Sequence, residues 1–151
     1  MSDIAVSNSA CLIGFERIGQ MNLLAQSFDS LLIPPAVQNE LGYALDWLVV
    51  KPVQNASIVQ ILKTQIDDGE AEAIALAIEL NDVFVILDDK KARRVAQTLD
   101  LKIIGAVGIL LRAKNRGIIA EIKPILDDLN RVNFRVSPTL YRQALVLANE
   151  V

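Results

Sequence analysis

The order of apolar runs and helical patterns predicts an α/β fold with a central parallel sheet. Short runs rich in Val, Ile and Leu alternate with stretches of helical periodicity, as is typical of parallel strands joined by helices. Of the 151 residues, 52% are hydrophobic and 5% aromatic, so aliphatic side chains dominate the core, which suits helices packed on a parallel sheet. Because no repeat or linker divides the chain, we predict one three-layer domain over residues 1–151.

Five short apolar runs are the candidate strands. The run 83–87 gives the strongest signal, since five consecutive apolar residues suit a strand that is buried on both faces. Segment 47–51 is followed by Pro52 and is either a strand or an extended connection. The candidate strands are 4–7, 30–33, 47–51, 83–87 and 102–104.

Proline, glycine and capping residues delimit the predicted helices. Pro35 suits a first helical position, and Ser137 followed by Pro138 predicts a capped last helix. Either Asp67 or Asp68 caps the helix that follows it. The predicted helices are 11–28 with a break near Gly19, 35–44, 56–65 with Ile58, Ile61 and Leu62 on one face, one that begins after Asp67 or Asp68, 90–99, 107–115, 118–130 and 138–148.

Composition excludes several classes of function. The chain has no histidine and only one cysteine, Cys11, which removes histidine-based catalysis, cysteine zinc clusters and intrachain disulfides. Its net charge of −3 gives no overall basic footprint, so any contact with nucleic acid has to be local or mediated by a metal. No apolar run approaches the roughly 20 residues of a membrane span, and we expect a cytoplasmic protein with no membrane partner.

Polar side chains follow two of the predicted strands. Asn8 closes the run 4–7, and Asp88 and Asp89 close the run 83–87. Because the carboxyl ends of parallel strands meet at one edge of a sheet, we expect these groups to converge there with Glu70 and Glu40. Converging carboxylates need a counter-charge, usually Mg²⁺ or Mn²⁺, and this predicts metal-dependent phosphodiester chemistry.

Each acid also has a structural explanation. An aspartate between a strand and a helix caps the helix, and acids in a first helical turn complement the helix dipole. Two adjacent aspartates exceed what one cap requires, so we interpret one of Asp88 and Asp89 as the cap and the other as functional, without deciding which. The cations that follow, from Lys90 to Arg94, either face a phosphate or form a solvated helix surface.

Five segments in order resemble the motifs of PIN-domain nucleases. The resemblance is closest to a bacterial and archaeal subfamily related to the toxins of toxin–antitoxin pairs, and it extends over nearly the whole chain. The segments are 6–13, 34–41, 68–74, 86–93 and 105–110.

This resemblance implies a Rossmann-like fold, Mg²⁺ or Mn²⁺ bound by clustered acids, and single-stranded RNA as the substrate. Glu40, Glu70 and one or both of Asp88 and Asp89 fall on the acidic motifs of the family. The first motif of the family normally has Asp where this chain has Asn8. The last motif usually has a hydroxyl or an acid near the position of Ala106.

Three functions follow as hypotheses. The first is a metal-dependent endoribonuclease of the toxin type, with a cognate antitoxin as a possible partner. The second is a catalytically impaired PIN-like module for binding or dimerisation, because Asn8 and Ala106 lack the oxygen atoms of the family motifs. The third is a receiver-type phospho-acceptor domain, which normally needs an acidic pair at the first strand. The apolar helices after Gly105 further indicate a homodimer.

Overall fold

A computed structural model describes residues 3–151 and contains one parallel sheet with the strand order β3-β2-β1-β4-β5. All four strand pairings are parallel, so the predicted fold class is confirmed. Segment 47–51, for which two possibilities were open, contributes an edge strand. The strands are β1 (Ile4–Ser7), β2 (Ser30–Ile33), β3 (Leu48–Val50), β4 (Phe84–Ile86) and β5 (Lys102–Ile104).

Nine helices occur in the described part of the chain, and they cover both faces of the sheet. They are α1 (Ser9–Arg17), α2 (Met21–Ser27), α3 (Pro35–Leu41), α4 (Ala56–Leu62), α5 (Asp68–Leu80), α6 (Lys90–Thr98), α7 (Ala106–Asn115), α8 (Lys123–Arg131) and α9 (Pro138–Leu147). None of them has the length and apolar character needed to cross a membrane.

Two hydrophobic cores lie on opposite faces of the sheet. Ala5 of β1 packs into a core with side chains from α1, α2, α7, α8 and α9. Val6, the next residue, packs into a second core with α4, α5 and α6. Successive residues of a strand point to opposite faces, so these two residues show that β1 lies between both helical layers. The result is the predicted three-layer arrangement.

The strand order reverses at β1. The chain moves outward from β1 through β2 to β3, while β4 and β5 lie on the other side of β1. Ser7 pairs with Ile86, so the carboxyl ends of β1 and β4 lie side by side. In an open α/β sheet, the crevice at such a reversal is the usual position of a binding site. Asn8 and Asp88 follow these two strands at this crevice.

Three helix predictions need correction. Helix 35–44 ends at Leu41 because Gly42 adopts a left-handed conformation, with φ of +84°. Helix 56–65 ends at Leu62, and it buries Val59 while leaving Ile61 64% exposed. Helix 118–130 begins only at Lys123.

The late start of α8 has its cause at the other end of the chain. The Glu150 carboxylate accepts hydrogen bonds from the backbone N–H groups of Ile122 and Lys123, at 2.8 and 2.9 Å. It also pairs with Lys114 at 3.0 Å. This distant carboxylate satisfies the free N–H groups at the helix start, and such a contact has no local sequence signal.

Candidate active site at the carboxyl edge of the sheet

Asn8 connects β1 to α1. Its side chain is 4% exposed, and its Oδ1 accepts a hydrogen bond from the Cys11 N–H at 3.3 Å, so it caps α1. Its own backbone N–H donates to the Ile86 carbonyl at 3.4 Å, which ties it to the end of β4. The sequence predicted that Asn8 lies at the end of the first strand, and the structure shows in addition that it caps α1.

The two adjacent aspartates, Asp88 and Asp89, make different contacts, and only one of them caps α6. Asp89 caps α6, since its Oδ2 accepts a hydrogen bond from the Ala92 N–H at 2.9 Å. Asp88 accepts from the Ala106 N–H through Oδ1 at 3.0 Å. Its Oδ2 is buried without a hydrogen-bond partner among the described residues. Of the two aspartates, Asp88 is therefore the one with a buried acceptor oxygen that receives no hydrogen bond among the described residues.

Asp88 lies close enough to Cys11, in the first turn of α1, for the two side chains to affect each other electrostatically. Burial raises the pKa of its carboxyl group, while the hydrogen bond from Ala106 and the charge of Arg93 act in the opposite direction. Burial, and then the charge of Asp88, raise the pKa of the Cys11 thiol well above its ordinary value. Cys11 is thus a buried thiol in the field of Asp88, which suits an inert core residue.

Glu70 lies on the first turn of α5, close to two other acids. Burial raises its pKa to about 7, with further contributions from the charges of Asp67 and Asp89. Asp67 caps α5 by accepting the Glu70 N–H at 2.8 Å. Repulsion from Asp89 shows that the first turns of α5 and α6 face a common space. Near neutral pH this carboxyl group is poised between its protonated and ionised forms.

Glu40 reaches the same edge from α3. Its Oε2 accepts a hydrogen bond from the Ser9 hydroxyl at 3.0 Å. Its other oxygen lies against Gly69, where an added Cβ would collide with it. Glu72 instead contacts the start of α3, where its Oε1 accepts the Ala36 N–H at 3.1 Å. Glu70 and Glu72 therefore lie on different faces of α5, as helical spacing requires.

The five predicted residues form an open arc along the carboxyl edge. Contacts link Glu40 to the start of α5 and Asn8 to the end of β4, and the charge of Asp89 contributes to the raised pKa of Glu70. Across residues 3–151, however, no three His, Cys, Asp or Glu side chains lie close enough together to form a ready-made metal site. The acids approach one another without closing into a ligand cage.

Arg93 and Gly105 are part of this edge, and neither role was predicted from the sequence. The Arg93 Nη1 donates a hydrogen bond to the Leu87 carbonyl at 2.8 Å. A Cβ added to Gly105 would lie 2.6 Å from that nitrogen and 2.9 Å from the Asp88 Oδ1. Glycine at position 105 thus leaves room for the carboxylate and the guanidinium to lie side by side.

Comparison with known proteins identifies the family. A family model described as a PIN domain matches residues 4–150. The chain belongs to the PIN-domain family. PIN domains have a nuclease-like function and generally use divalent metal ions. No curated protein matches this PIN domain closely enough to count as a relative.

The side chains of this PIN domain suit a hard divalent cation in their chemistry. The buried Asp88 Oδ2 is an acceptor oxygen without a hydrogen-bond partner among the described residues. Burial, and then the charges of Asp67 and Asp89, raise the pKa of Glu70, and a nearby cation would oppose this shift. Carboxylate and amide oxygens are the ligands such cations prefer. The donors therefore fit a divalent cation, although they are not assembled into a closed site.

Proposed function

We propose that this PIN domain is a metal-dependent ribonuclease of the toxin type that cleaves single-stranded RNA. The observation that supports this most strongly is the Asp88 Oδ2, buried and unpartnered at the point where the strand order reverses. A buried acceptor without a donor costs about 1–3 kcal/mol, so such an atom indicates a functional use. A metal ligand at this position would satisfy it.

Asp88 would be the principal ligand of Mg²⁺ or Mn²⁺, with Glu70 and Asp89 contributing their carboxylates. Asn8 would supply its amide oxygen, which bears no full charge and is already shared with the Cys11 N–H. Three carboxylates and an amide bind a divalent cation less tightly than four carboxylates would. The site should therefore bind its cation weakly.

The bound cation would supply a water of lowered pKa and a positive charge at the scissile phosphate. Glu70 has a pKa of about 7 without a cation, and a bound cation would lower that pKa and keep the Glu70 carboxylate ionised as a ligand. Glu40 would orient the Ser9 hydroxyl at the rim of the same edge. The Ala106 N–H would keep Asp88 in a fixed rotamer.

A catalytically impaired binding or dimerisation module is the alternative function. Two observations favour it: the Asn8 amide is engaged as a helix cap, and Ala106 contributes only a backbone N–H to the site. Such a module would keep the fold and part of the acidic edge without turnover. Replacing Asn8 by Asp and Ala106 by Thr would then restore the missing oxygens.

Cleavage of single-stranded RNA by purified protein in Mn²⁺ separates the two functions. We expect slow cleavage that stops in excess chelator. The rate should fall by about two or more orders of magnitude in Asp88→Asn, because the metal supplies both nucleophile and charge stabilisation. An inert wild type together with an active Asn8→Asp/Ala106→Thr variant would favour the impaired module. Cleavage that persists in chelator, or in an Asp88→Asn/Asp89→Asn variant, would reject the metal mechanism.

The toxin assignment also implies partners. A toxin of this kind would be held inactive by a cognate antitoxin, and a second copy of the chain would complete a homodimer. The support is the resemblance of the motifs and the exposed apolar residues of α9, Val146 and Leu147. Co-expression with the product of a neighbouring reading frame tests the first partner: a toxin should arrest growth alone and not when co-expressed.

A further inference from the structure

A cleft begins at Asp88 and Asp89 and extends from the acidic arc to the segment 133–137. It has a volume of about 730 Å³, within the range of roughly 300–1,000 Å³ that small-molecule sites have. Asp88 and Asp89 lie at one end, and the segment 133–137 with Leu140 of α9 forms the far wall. The floor contains Gly105 and Gly108.

The far wall is fixed in place by hydrogen bonds. Asn133 has a φ of +68°, a left-handed conformation that asparagine tolerates, and it turns the chain after α8. The Phe134 N–H then donates to the Leu129 carbonyl at 3.0 Å. The Val136 N–H donates to the Asn130 Oδ1 at 2.9 Å. Phe134 also packs so closely on Gly14 of α1 that an added Cβ there would lie 2.8 Å from its ring.

Three cations surround the cleft without a carboxylate partner. Lys90, Arg93 and Arg135 line it, and none of them forms an ion pair with any carboxylate in residues 3–151. Seven other basic side chains do form such pairs: Lys63, Lys102, Arg112, Lys114, Arg116, Lys123 and Arg131. Three of the cations that form no ion pair thus line one cavity, where Lys90 and Arg135 are free to attract an anion and Arg93 also donates to the Leu87 carbonyl.

The apolar part of the cleft complements these charges. Phe134, Val107, Leu111 and Leu140 present aromatic and aliphatic surface between the cations. A phosphate with an attached flat, apolar ring fits this combination, since cations bind the phosphate and the base stacks on an aromatic side chain. Neither a bare anion nor a purely apolar ligand would use both parts.

We propose that this cleft binds one unstacked nucleotide of a single-stranded RNA, next to the acidic edge at Asp88. The base lies against Phe134, and the phosphate of that nucleotide lies among Lys90, Arg93 and Arg135. The cleft would then orient the strand and select the nucleotide beside the cleavage point. Its role as a substrate subsite rests on the proposed ribonuclease function, whereas its capacity to bind a nucleotide does not.

Titration with adenosine monophosphate in excess chelator tests the binding directly, because no metal chemistry is involved. Isothermal titration calorimetry should show adenosine monophosphate binding at least about tenfold more tightly than ribose 5-phosphate or adenosine, since stacking and charge both contribute. Equal affinity for adenosine monophosphate and ribose 5-phosphate would overturn the proposed role of Phe134.

Matched variants localise the binding. Arg135→Ala and Phe134→Leu should each weaken adenosine monophosphate binding at least about fivefold, as expected for loss of a charge contact or a stacking surface. Arg94→Ala is the control, since Arg94 is an exposed arginine of α6 that does not line the cleft. Equal weakening in Arg135→Ala and Arg94→Ala, or no binding to the wild type, would overturn the proposal.

The outcome is separable from that of the proposed function. Adenosine monophosphate binding by a protein that cleaves no RNA would support the nucleotide cleft and reject the ribonuclease function. Manganese-dependent RNA cleavage with an unchanged KM and nucleotide preference in Arg135→Ala and Phe134→Leu would reject the cleft as a substrate subsite and leave the ribonuclease function standing.

Discussion

Asp88 has one satisfied carboxylate oxygen and one unsatisfied oxygen, and a purely structural aspartate would avoid the second. It is held in one orientation by the Ala106 N–H, and its other oxygen is buried without a partner. Leaving a buried acceptor unsatisfied destabilises the folded state by about 1–3 kcal/mol. Asp89, the neighbouring residue, shows the contrasting case, in which the carboxylate is exposed and satisfied as a helix cap.

Replacing Asp88 by asparagine should therefore stabilise the protein in the absence of metal. Burial raises the pKa of the Asp88 carboxyl group, so its ionised form is unfavourable in the folded state at neutral pH. We expect Asp88→Asn to raise the free energy of unfolding by about 1 kcal/mol in chelator at pH 8, measured by urea denaturation. Asp89→Asn is the control, because asparagine is as good a cap as aspartate. A destabilised Asp88→Asn variant would show that the carboxylate has a structural role.

Glu70 should make stability depend on pH in a defined direction. Its pKa is about 7 in the folded protein, against 4.5 for an ordinary glutamate. The folded state therefore binds more protons between these values, and stability falls as pH rises through that window. In the Glu70→Gln variant, the free energy of unfolding should fall less steeply between pH 5 and pH 7 than in the wild type. Urea denaturation from pH 5 to pH 8 with chelator present measures this slope. Glu16→Gln, at an exposed position of α1, serves as control. An unchanged slope in Glu70→Gln would contradict this account of Glu70.

The choice between Asp88 and Asp89 could not be made from the sequence. Either residue could cap α6, and the decision depends on where the helix begins relative to β4. The role of Gly105 could not be predicted from the sequence either, because Gly105 acts by leaving space for Asp88 and Arg93 that a side chain would fill. The position of Asn8 was predictable, since a polar residue after the first apolar run has to lie at the carboxyl edge.

At the scale of elements, the strands were easier to predict than the helix ends. The predictions for β1, β2 and β5 match the structure residue for residue, because each is a short run between clear breaks. The start of α8 was predicted five residues too early, since it depends on Glu150 from the far end of the chain. Long-range contacts of this kind set helix boundaries without leaving a local pattern.

The first turn of α1 should tolerate aspartate at position 8 and not alanine. Asparagine and aspartate cap helices about equally well, while alanine removes the acceptor of the Cys11 N–H. We expect Asn8→Ala to lower the free energy of unfolding by about 1 kcal/mol, and Asn8→Asp to change it by less than about half as much. Thermal and urea denaturation measure both. A collapse of stability in Asn8→Asp would mean that this edge cannot accept a further charge.

At the scale of the whole molecule, charge and apolar surface are unevenly distributed. Most ion pairs lie away from the carboxyl edge, and the unpaired cations Lys90, Arg93 and Arg135 lie beside it. An RNA strand can thus be attracted locally by a protein of net charge −3. The exposed apolar residues of α9, Val146 and Leu147, lie on a different helix from the acids, and a dimer interface on the helices after Gly105 stays a prediction.

A homodimer through α9 should respond to a charge placed on that helix. Leu147 and Val146 are 70% and 61% exposed, so Leu147→Glu should shift a dimer to a monomer without disturbing the core. Light scattering across a concentration series measures the shift. Ile61→Glu is the matched control, at a residue of α4 that is 64% exposed. A wild type that is monomeric throughout, or equal effects of both substitutions, would contradict a dimer through α9.

The most direct test of the account is calorimetric titration of Mn²⁺ into three proteins: the wild type, Asp88→Asn and Asn8→Asp. We predict weak binding by the wild type, little or none by Asp88→Asn, and binding tightened about tenfold or more by Asn8→Asp, because an added carboxylate compensates the cation directly. Equal affinities in all three proteins, or no binding in any of them, would contradict a metal site centred on Asp88.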